Sequence, residues 1–467
     1  MIASFTRNST AHLQNGTLVN TNLPRFEAGR FAQAVMVEEG TTNLLTANQS
    51  SVEDGTTTGF FFLGTAVLSS VTTDKWQGNN CIQAVLPGLH PFTEGLVVGG
   101  VSGSAGTIFT GSLYFKAPQG ISFQILLRRE LALDFASIVL VSTGVWQRVN
   151  LQHTLGATTT NLNLTIRTVN AQAITFWVDG LQIEQRAYAT SWQLGGTPRA
   201  AETLTIPTAG ILSPAEGTIE FWWQPINQPA SNMTTQLTSP QIMRMGTYAN
   251  DNSWVLWNWD GSLMLYVRGA GHTSWTGIWH VISGSVWHQL NRWYHISIRW
   301  SGTNTFWVFV DGVRYGPYVS THPFTGVAGN VMALGGAAAS GGANAFIDDL
   351  RISNRARTDQ EIADAFASNQ PLPVDASTTY LMRMDGNLTH GQGGDYVSPE
   401  YDLSTVGTGI TSAVNWQAPA DGVTREVAAR LDGQTWASVT NGGPLPFTPG
   451  QLLTGRRIQL QTTLRRG

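Results

Sequence analysis

The sequence predicts an all-β chain of tandem antiparallel β-sandwiches (jelly rolls), with one short helix at the end of the middle one. Three observations carry that expectation. Short runs rich in Val, Ile, Thr, Phe and Trp alternate with Gly, Asn, Asp and Pro, as at Thr175–Val178, Thr218–Trp223, Trp293–Trp300 and Thr305–Val310. In Tyr294-His295-Ile296-Ser297-Ile298-Arg299-Trp300 the polar residues fall on every second position, the period of a strand with one buried and one wet face. Asp-Gly pairs sit between strand-like runs at Asp179-Gly180, Asp260-Gly261, Asp311-Gly312 and Asp432-Gly433, and each is a hairpin signal. Many short strands with turn signals point to sandwiches. No short-period repeat is present, which argues against a solenoid or propeller.

Taken in order, residues 1–40 form an N-terminal arm whose partner the pattern does not assign. Residues 41–200 read as a first sandwich, ending near Gly195-Gly196-Thr197-Pro198. Residues 205–370 read as a second. Its helix is announced by Thr358-Asp359-Gln360-Glu361, a capping box. Ile362, Ala365 and Phe366 then share one helical face. Gln370-Pro371-Leu372-Pro373 stops the helix and reads as a linker to a small C-terminal sandwich at 380–467.

Composition excludes several classes. The chain has 467 residues, 42% of them hydrophobic, and a net charge of -4, so it is too apolar and too neutral for a disordered chain. No run of 18 apolar residues occurs, so no membrane insertion is expected. Twenty-six basic residues against 30 acidic ones, without clusters, leave no footprint for nucleic acid. One cysteine, Cys81, excludes an internal disulfide and reads as a small buried hydrophobe. Met1–Arg7 lacks the charged and apolar segments of a secretory signal. A reducing cytoplasm is the expected place of folding.

Three separated blocks occur in order: Phe5-Thr6-Arg7-Asn8-Ser9-Thr10, Leu23-Pro24-Arg25-Phe26, and Val37-Glu38-Glu39-Gly40-Thr41-Thr42-Asn43-Leu44-Leu45. Together they are similar to the start of many bacteriophage tail and virion structural proteins. Gly40-Thr41-Thr42 departs mildly, because a basic or small residue usually precedes Thr-Asn-Leu there. Trp146-Gln147-Arg148-Val149, Phe176–Glu184, Tyr188–Trp192 and Pro198–Ala201 resemble a carbohydrate-binding-module jelly roll of such proteins. In those modules the aspartate matching Asp179 sometimes helps to hold calcium. Gly217–Trp223, Trp293–Ile298, Phe309–Gly312 and Phe346–Ala356, with the capped helix, resemble a LamG-like, concanavalin A-type jelly roll. Tyr396–Pro399 and Leu431–Trp436 look like a small accessory sandwich. The resemblance implies a virion protein with lectin-like folds, assembled in host cytoplasm, and it names no ligand.

The residues themselves narrow the chemistry. Hydrolysis by a retaining glycosidase needs two carboxylates about 5–5.5 Å apart. No Glu-x-Asp-x-Glu strand of the related glucanases is present, and Glu216 and Glu220, although spaced by four, are separated by the start of the strand at Gly217. No Gly-x-Ser-x-Gly elbow occurs. His272, His280, His288 and His295 follow neither strand nor helix ligand spacing for zinc. Calcium, which jelly rolls hold through loop carboxylates, would fall to Asp179, Asp348 and Asp349.

Tryptophan is the strongest signal. Eleven of seventeen fall within Trp222–Trp307. Trp223, Trp300 and Trp307 lie in strands and read as core. Trp254, Trp257, Trp259, Asp260, Trp275 and Trp279 lie near a hairpin end and a Gly-rich stretch, and are the candidate carbohydrate-binding set. Aromatic rings stack on sugar faces while polar neighbours bond hydroxyls. The same rings also suit packing under loops or against another subunit.

The sequence-based expectation is a non-catalytic phage virion protein of tail fibre, tail tip or head decoration that binds host-surface saccharide. A purely structural spacer is the alternative, and a depolymerase the third reading. Expected partners are other virion proteins, host cell-surface glycans and further copies of the chain. A trimer would be held by sandwich faces, since no heptad run exists. Solvent-exposed Trp257, Trp259, Trp275 and Trp279 around one concavity would favour binding, and buried ones the structural role.

Overall fold

The computed structural model describes residues 3–129, 134–226, 241–246, 252–259, 262–272, 274–283, 287–326, 331–335, 344–386 and 388, and beyond them only separate strands. Those strands belong to the last unit. Asp395–Val397, Val423–Leu431, Ala437–Val439 and Arg457–Arg466 form one antiparallel sheet, with Tyr401–Asp402 also on Arg457–Arg466.

The first sandwich packs two five-stranded sheets. One runs Phe135–Val141, Ser122–Arg129, Thr159–Thr168, Gly95–Gly103, Phe60–Leu63. The other runs Gln147–Thr154, Ile108–Lys116, Ile174–Glu184, Cys81–Leu86, Val67–Val71. Strict alternation aims Phe123, Ile125 and Leu127, and likewise Leu162, Leu164 and Ile166, at Phe109, Leu113, Phe115, Phe176 and Val178 of the facing sheet. Cys81 is fully buried in this unit, as a small hydrophobe would be.

The second sandwich is built from a seven-stranded and an eight-stranded sheet. Both sheets recruit the N-terminal arm. Ser4–Thr6 pairs with Thr203–Pro207, and the hairpin Arg25–Ala28 and Gln33–Val37 pairs through its second strand with Ala345–Ser353. Ala3, Phe5, Val35 and Val37 share one core with Trp223, Trp300, Ile296 and Leu334. The first sandwich is therefore inserted between two parts of the second. At the neck the outgoing strand Thr41–Thr42 pairs with the returning strand Pro198–Arg199.

A fully buried charge network closes this neck. Arg25 reaches Glu38 at 2.6 Å and Glu202 at 2.5 Å. Arg7 meets Glu202 at 2.7 Å and Arg199 meets Glu38 at 2.7 Å. Ser191, from the end of the inserted unit, bonds both Arg25 and Glu38. Burial pushes the Glu38 carboxyl up, but Arg199, Arg25 and Ser191 outweigh it and hold the group at about 2. Buried ions are normally paired in this way.

The capped helix spans Asp359–Ala367, with Thr358 and Glu361 exchanging both capping bonds. A second helical turn, Ala47–Ser51, absent from the sequence-based expectation, has its own capping box between Thr46 and Gln49. Asp311-Gly312 makes the expected hairpin turn, both residues having positive φ. Ser253–Trp259 and Ser262–Arg268 pair as a hairpin, while residues 260 and 261 lie outside the described residues, as does the 432–433 turn. Asp179-Gly180 is not a turn. It lies inside the strand Ile174–Glu184, where the register with Ile108–Lys116 shifts, so its positive-φ glycine makes a bulge.

Candidate functional site

The outer face of one sheet of the first sandwich carries an open groove. Its floor is the strand Gly95–Gly103, whose Leu96 and Val98 face the core while half-buried Val97 and Gly99 face out. Beside Val97, glycine at 99 and 100 leaves that part of the floor without side chains. At Gly100 a Cβ would meet nothing within 4 Å, and its φ of +92° suits glycine. One wall is the edge strand Phe60–Leu63. Phe60 enters the core, and Phe61, paired with Val97, turns outward. Phe61 and Phe62 are 64% and 65% exposed.

The opposite wall comes from two strands. Leu162 and Leu164 fill the core, so the alternate residues Asn161 and Asn163 face out. Arg128 is the register partner of Asn163 and continues the same row. Asn163 is held rigidly: its Oδ1 accepts from Gly100 N at 3.1 Å and its Nδ2 donates to Asn161 O at 3.0 Å. Gln49, the capping glutamine, donates from Nε2 to Gly99 O at 2.8 Å and ties the helical turn to the floor. The groove encloses about 680 Å³, the size of a small-ligand or oligosaccharide site.

Its chemistry is that of a surface for polar rings with apolar faces. The phenylalanines offer stacking area, and the amides offer both donors and acceptors. Arg128, a residue only 8% exposed, supplies a guanidinium whose Nε donates to no acceptor. No acidic side chain lines the groove among the described residues, so the paired carboxylates that glycoside hydrolysis needs are not found in it.

The candidate tryptophans are placed differently from the expectation. Trp254 points into the second sandwich's core against Trp300 and is fully buried. Trp257, three residues on, points through the other face of its sheet. There it is also fully buried, with Val255, Met264 and Tyr266, its ring 4.6 Å from that of Tyr266. Both are packing residues, which corrects their assignment to a ligand surface. Trp275 is half-buried against this outer cluster, with the Arg268 guanidinium 4.4 Å from its ring centre. Trp279 is half-buried on the core side, 5.5 Å from Tyr318. The structure thus sets Trp257 and Trp279 on opposite faces of one sheet rather than around one concavity. The Trp259 side chain and Asp260 lie outside the described residues.

The candidate calcium carboxylates are already engaged. Asp179 accepts from Gly180 N at 2.7 Å, Trp76 N and Gln77 N at 3.1 Å, and Ser51 Oγ at 3.3 Å. Those donors suit an anion, not a cation. Burial pushes Asp179 up to about 7 even so. Asp348 accepts from Arg30 N at 2.7 Å and Phe31 N at 3.2 Å, pinning the turn of the arm's hairpin. Burial raises it to about 7 as well. Asp349 bonds Leu372 N and the Arg383 guanidinium. Among the described residues no three His, Cys, Asp or Glu side chains gather as a metal site. Glu220 is equally occupied, buried against Arg351 at 2.6 Å and Arg357 at 3.4 Å, while Glu216 is exposed and accepts from Ala356 N.

Two signals in the sequence mark the groove residues, though neither belongs to the tryptophan set. Phe60-Phe61-Phe62 puts aromatics on successive positions, so a strand there must show at least one to solvent. Asn161-Leu162-Asn163-Leu164 alternates amide and leucine, a core face backed by a polar one.

Residues 199–363 match the family described as the concanavalin A-like lectin/glucanases superfamily. No curated protein matches the chain. Among solved structures, the CBM22-1 xylan-binding domain of Paenibacillus barcinonensis Xyn10C is 19% identical, covering 30% of this chain and 94% of that one, with a TM-score of 0.25. TmCBM61, solved with beta-1,4-galactotriose, is 11% identical over 31% and 99% of the two chains, TM-score 0.25. Domain 4 of AbnA, a GH43 extracellular arabinanase from Geobacillus stearothermophilus solved with arabinotriose, is 19% identical over 38% and 82%, TM-score 0.26.

Proposed function

We propose that this chain is a non-catalytic saccharide-binding protein of a bacteriophage virion, carried on the tail or head surface, and that its ligand lies in the groove of the first sandwich. The observation that carries the binding role is the pair of exposed phenylalanines facing Arg128, Asn161 and Asn163 across a bare glycine floor. The concanavalin A-like match of the second sandwich is compatible with a lectin-like body. The virion role is supported by the three ordered N-terminal blocks, whose Arg7, Arg25 and Glu38 are members of the neck network. Many copies on one particle would make a weak single site sufficient. Oligomers formed through sandwich faces are part of the same proposal.

A second reading, a structural spacer without glycan binding, is favoured by the burial of Trp254 and Trp257. One experiment separates the two. The full-length chain is titrated against an array of bacterial envelope glycans, alongside Phe61→Ala and Trp275→Ala, with and without a calcium chelator. Saturable binding that weakens tenfold or more in Phe61→Ala, about 1.4 kcal/mol, and is unmoved by Trp275→Ala or chelation is the expected result. A folded protein that binds no glycan would favour the spacer.

A further inference from the structure

We infer that the groove selects acidic saccharides, with a sugar carboxylate seated against Arg128 while a neighbouring ring lies on Phe61. This rests on the proposed saccharide-binding role of the groove and adds the ligand's charge. Arg128 faces outward beside Asn163, is 8% exposed, and forms no ion pair with any described residue. A buried guanidinium normally has a carboxylate beside it. The same protein follows that rule at the neck, where Arg7, Arg25 and Arg199 are all paired. At Arg128 the fork opens instead onto a groove.

The surroundings reinforce the sign. Arg167 shares the outer face, and its Nε bonds the neutral Gln124 at 2.9 Å rather than an acid. At the far end of the same strands, beside Arg167, Glu94 is buried, and its carboxylate is taken by Thr65 Oγ1, Gly88 N and Leu89 N. Asp134 is engaged by Arg129 and His153. Burial, and then Arg167, lower the pKa of Arg128, so its charge is held at a cost that an incoming anion would relieve. A planar carboxylate fits a guanidinium fork in bidentate fashion.

Register also gives the ligand an extent. Phe61 pairs with Val97 on the floor strand, and the strand of Arg128 lies two strands further across the sheet. Three spacings of about 4.8 Å separate the two walls, roughly 14 Å in all. That span admits a short oligosaccharide with its acid group at one side and an apolar ring face at the other.

The test uses matched pairs: oligogalacturonate, hyaluronan and alginate oligosaccharides, each against its carboxyl-reduced counterpart, titrated into the full-length protein at low and high salt. The expected result is at least tenfold tighter binding of an acidic member than of its neutral pair. The gap should narrow with salt and collapse below about twofold in Arg128→Gln, with melting temperature recorded to confirm folding. Equal affinity for both members of a pair would overturn the acidic preference and leave the glycan-binding reading standing. A preference that survives Arg128→Gln would overturn the assignment to Arg128. No binding of either member by the folded protein would remove both.

Discussion

Phe61 and Trp257 both point away from the core of their own sandwich, yet one is 64% exposed and the other wholly buried. Their substitutions should therefore differ in kind. Trp257→Ala is expected to cost about 3–5 kcal/mol of stability, read as a shift in the denaturant midpoint. Phe61→Ala should leave stability within about 0.5 kcal/mol and weaken saccharide binding. Equal losses of stability in both would contradict these placements. Glu202 makes a sharper case, because it holds Arg7 and Arg25 together with no exposure. Glu202→Gln removes the charge between them and should destabilise by about 3–5 kcal/mol. An unchanged melting temperature would show the network to be dispensable. At this scale the sequence was informative about residue type and poor about burial. The tryptophan cluster was plain, and an odd spacing in a strand sets Trp254 and Trp257 on opposite faces. What covers the far face of a sheet depends on packing that a one-dimensional pattern does not carry.

The elements show a different limit. The sandwiches, their alternation and the capped helix were legible because each is a local signal. The arm's partner was not, because Ser4–Thr6 and Gln33–Val37 pair with strands some 200 and 300 residues later in the chain. The turn at Ala47–Ser51 carried a readable capping box but is too short to show a helical period. Asp179-Gly180 mimics a hairpin signal, whereas both flanks continue as one buried strand. The arm supplies strands to both sheets of the second sandwich, so residues 203–383 alone should not fold cooperatively. A chain joining Thr42 to Pro198 through a short glycine linker, and so lacking the inserted sandwich, should fold. These residues already face each other across the neck. Circular dichroism melts of the two fragments decide the matter. A cooperative transition from 203–383 alone would show the arm to be accessory.

At the scale of the molecule, shifted carboxyls and two buried histidines set the response to pH. Asp179 and Asp348 are raised by burial from 3.8 to about 7. Between those values the folded chain keeps protons that the unfolded chain has released, so their contribution to stability falls as pH rises from about 4 to 7. Glu38 is held down at about 2 against an ordinary 4.5, its arginines and Ser191 outweighing burial. Glu361, bonded first by Arg355, is held at about 2 as well. Their contributions are complete above about 4.5 and are lost as pH falls toward 2. His12 and His295, lowered by burial from 6.5 to about 4 and about 3, bind fewer protons folded than unfolded and offset the aspartates' loss up to about pH 6.5, so the melting temperature should climb to about pH 4.5 and stay nearly level from there to about pH 6.5. A curve that rises through neutrality would contradict the protonated state of the two aspartates.

The measurement that most directly tests saccharide binding by the first sandwich is a crystal structure of the full-length protein with the tightest-binding oligosaccharide. Sugar density should lie over Val97 and the glycine floor, with a ring against Phe61 and an acidic group at Arg128. Density beside Trp275, or anywhere on the second sandwich, with the groove empty would contradict it.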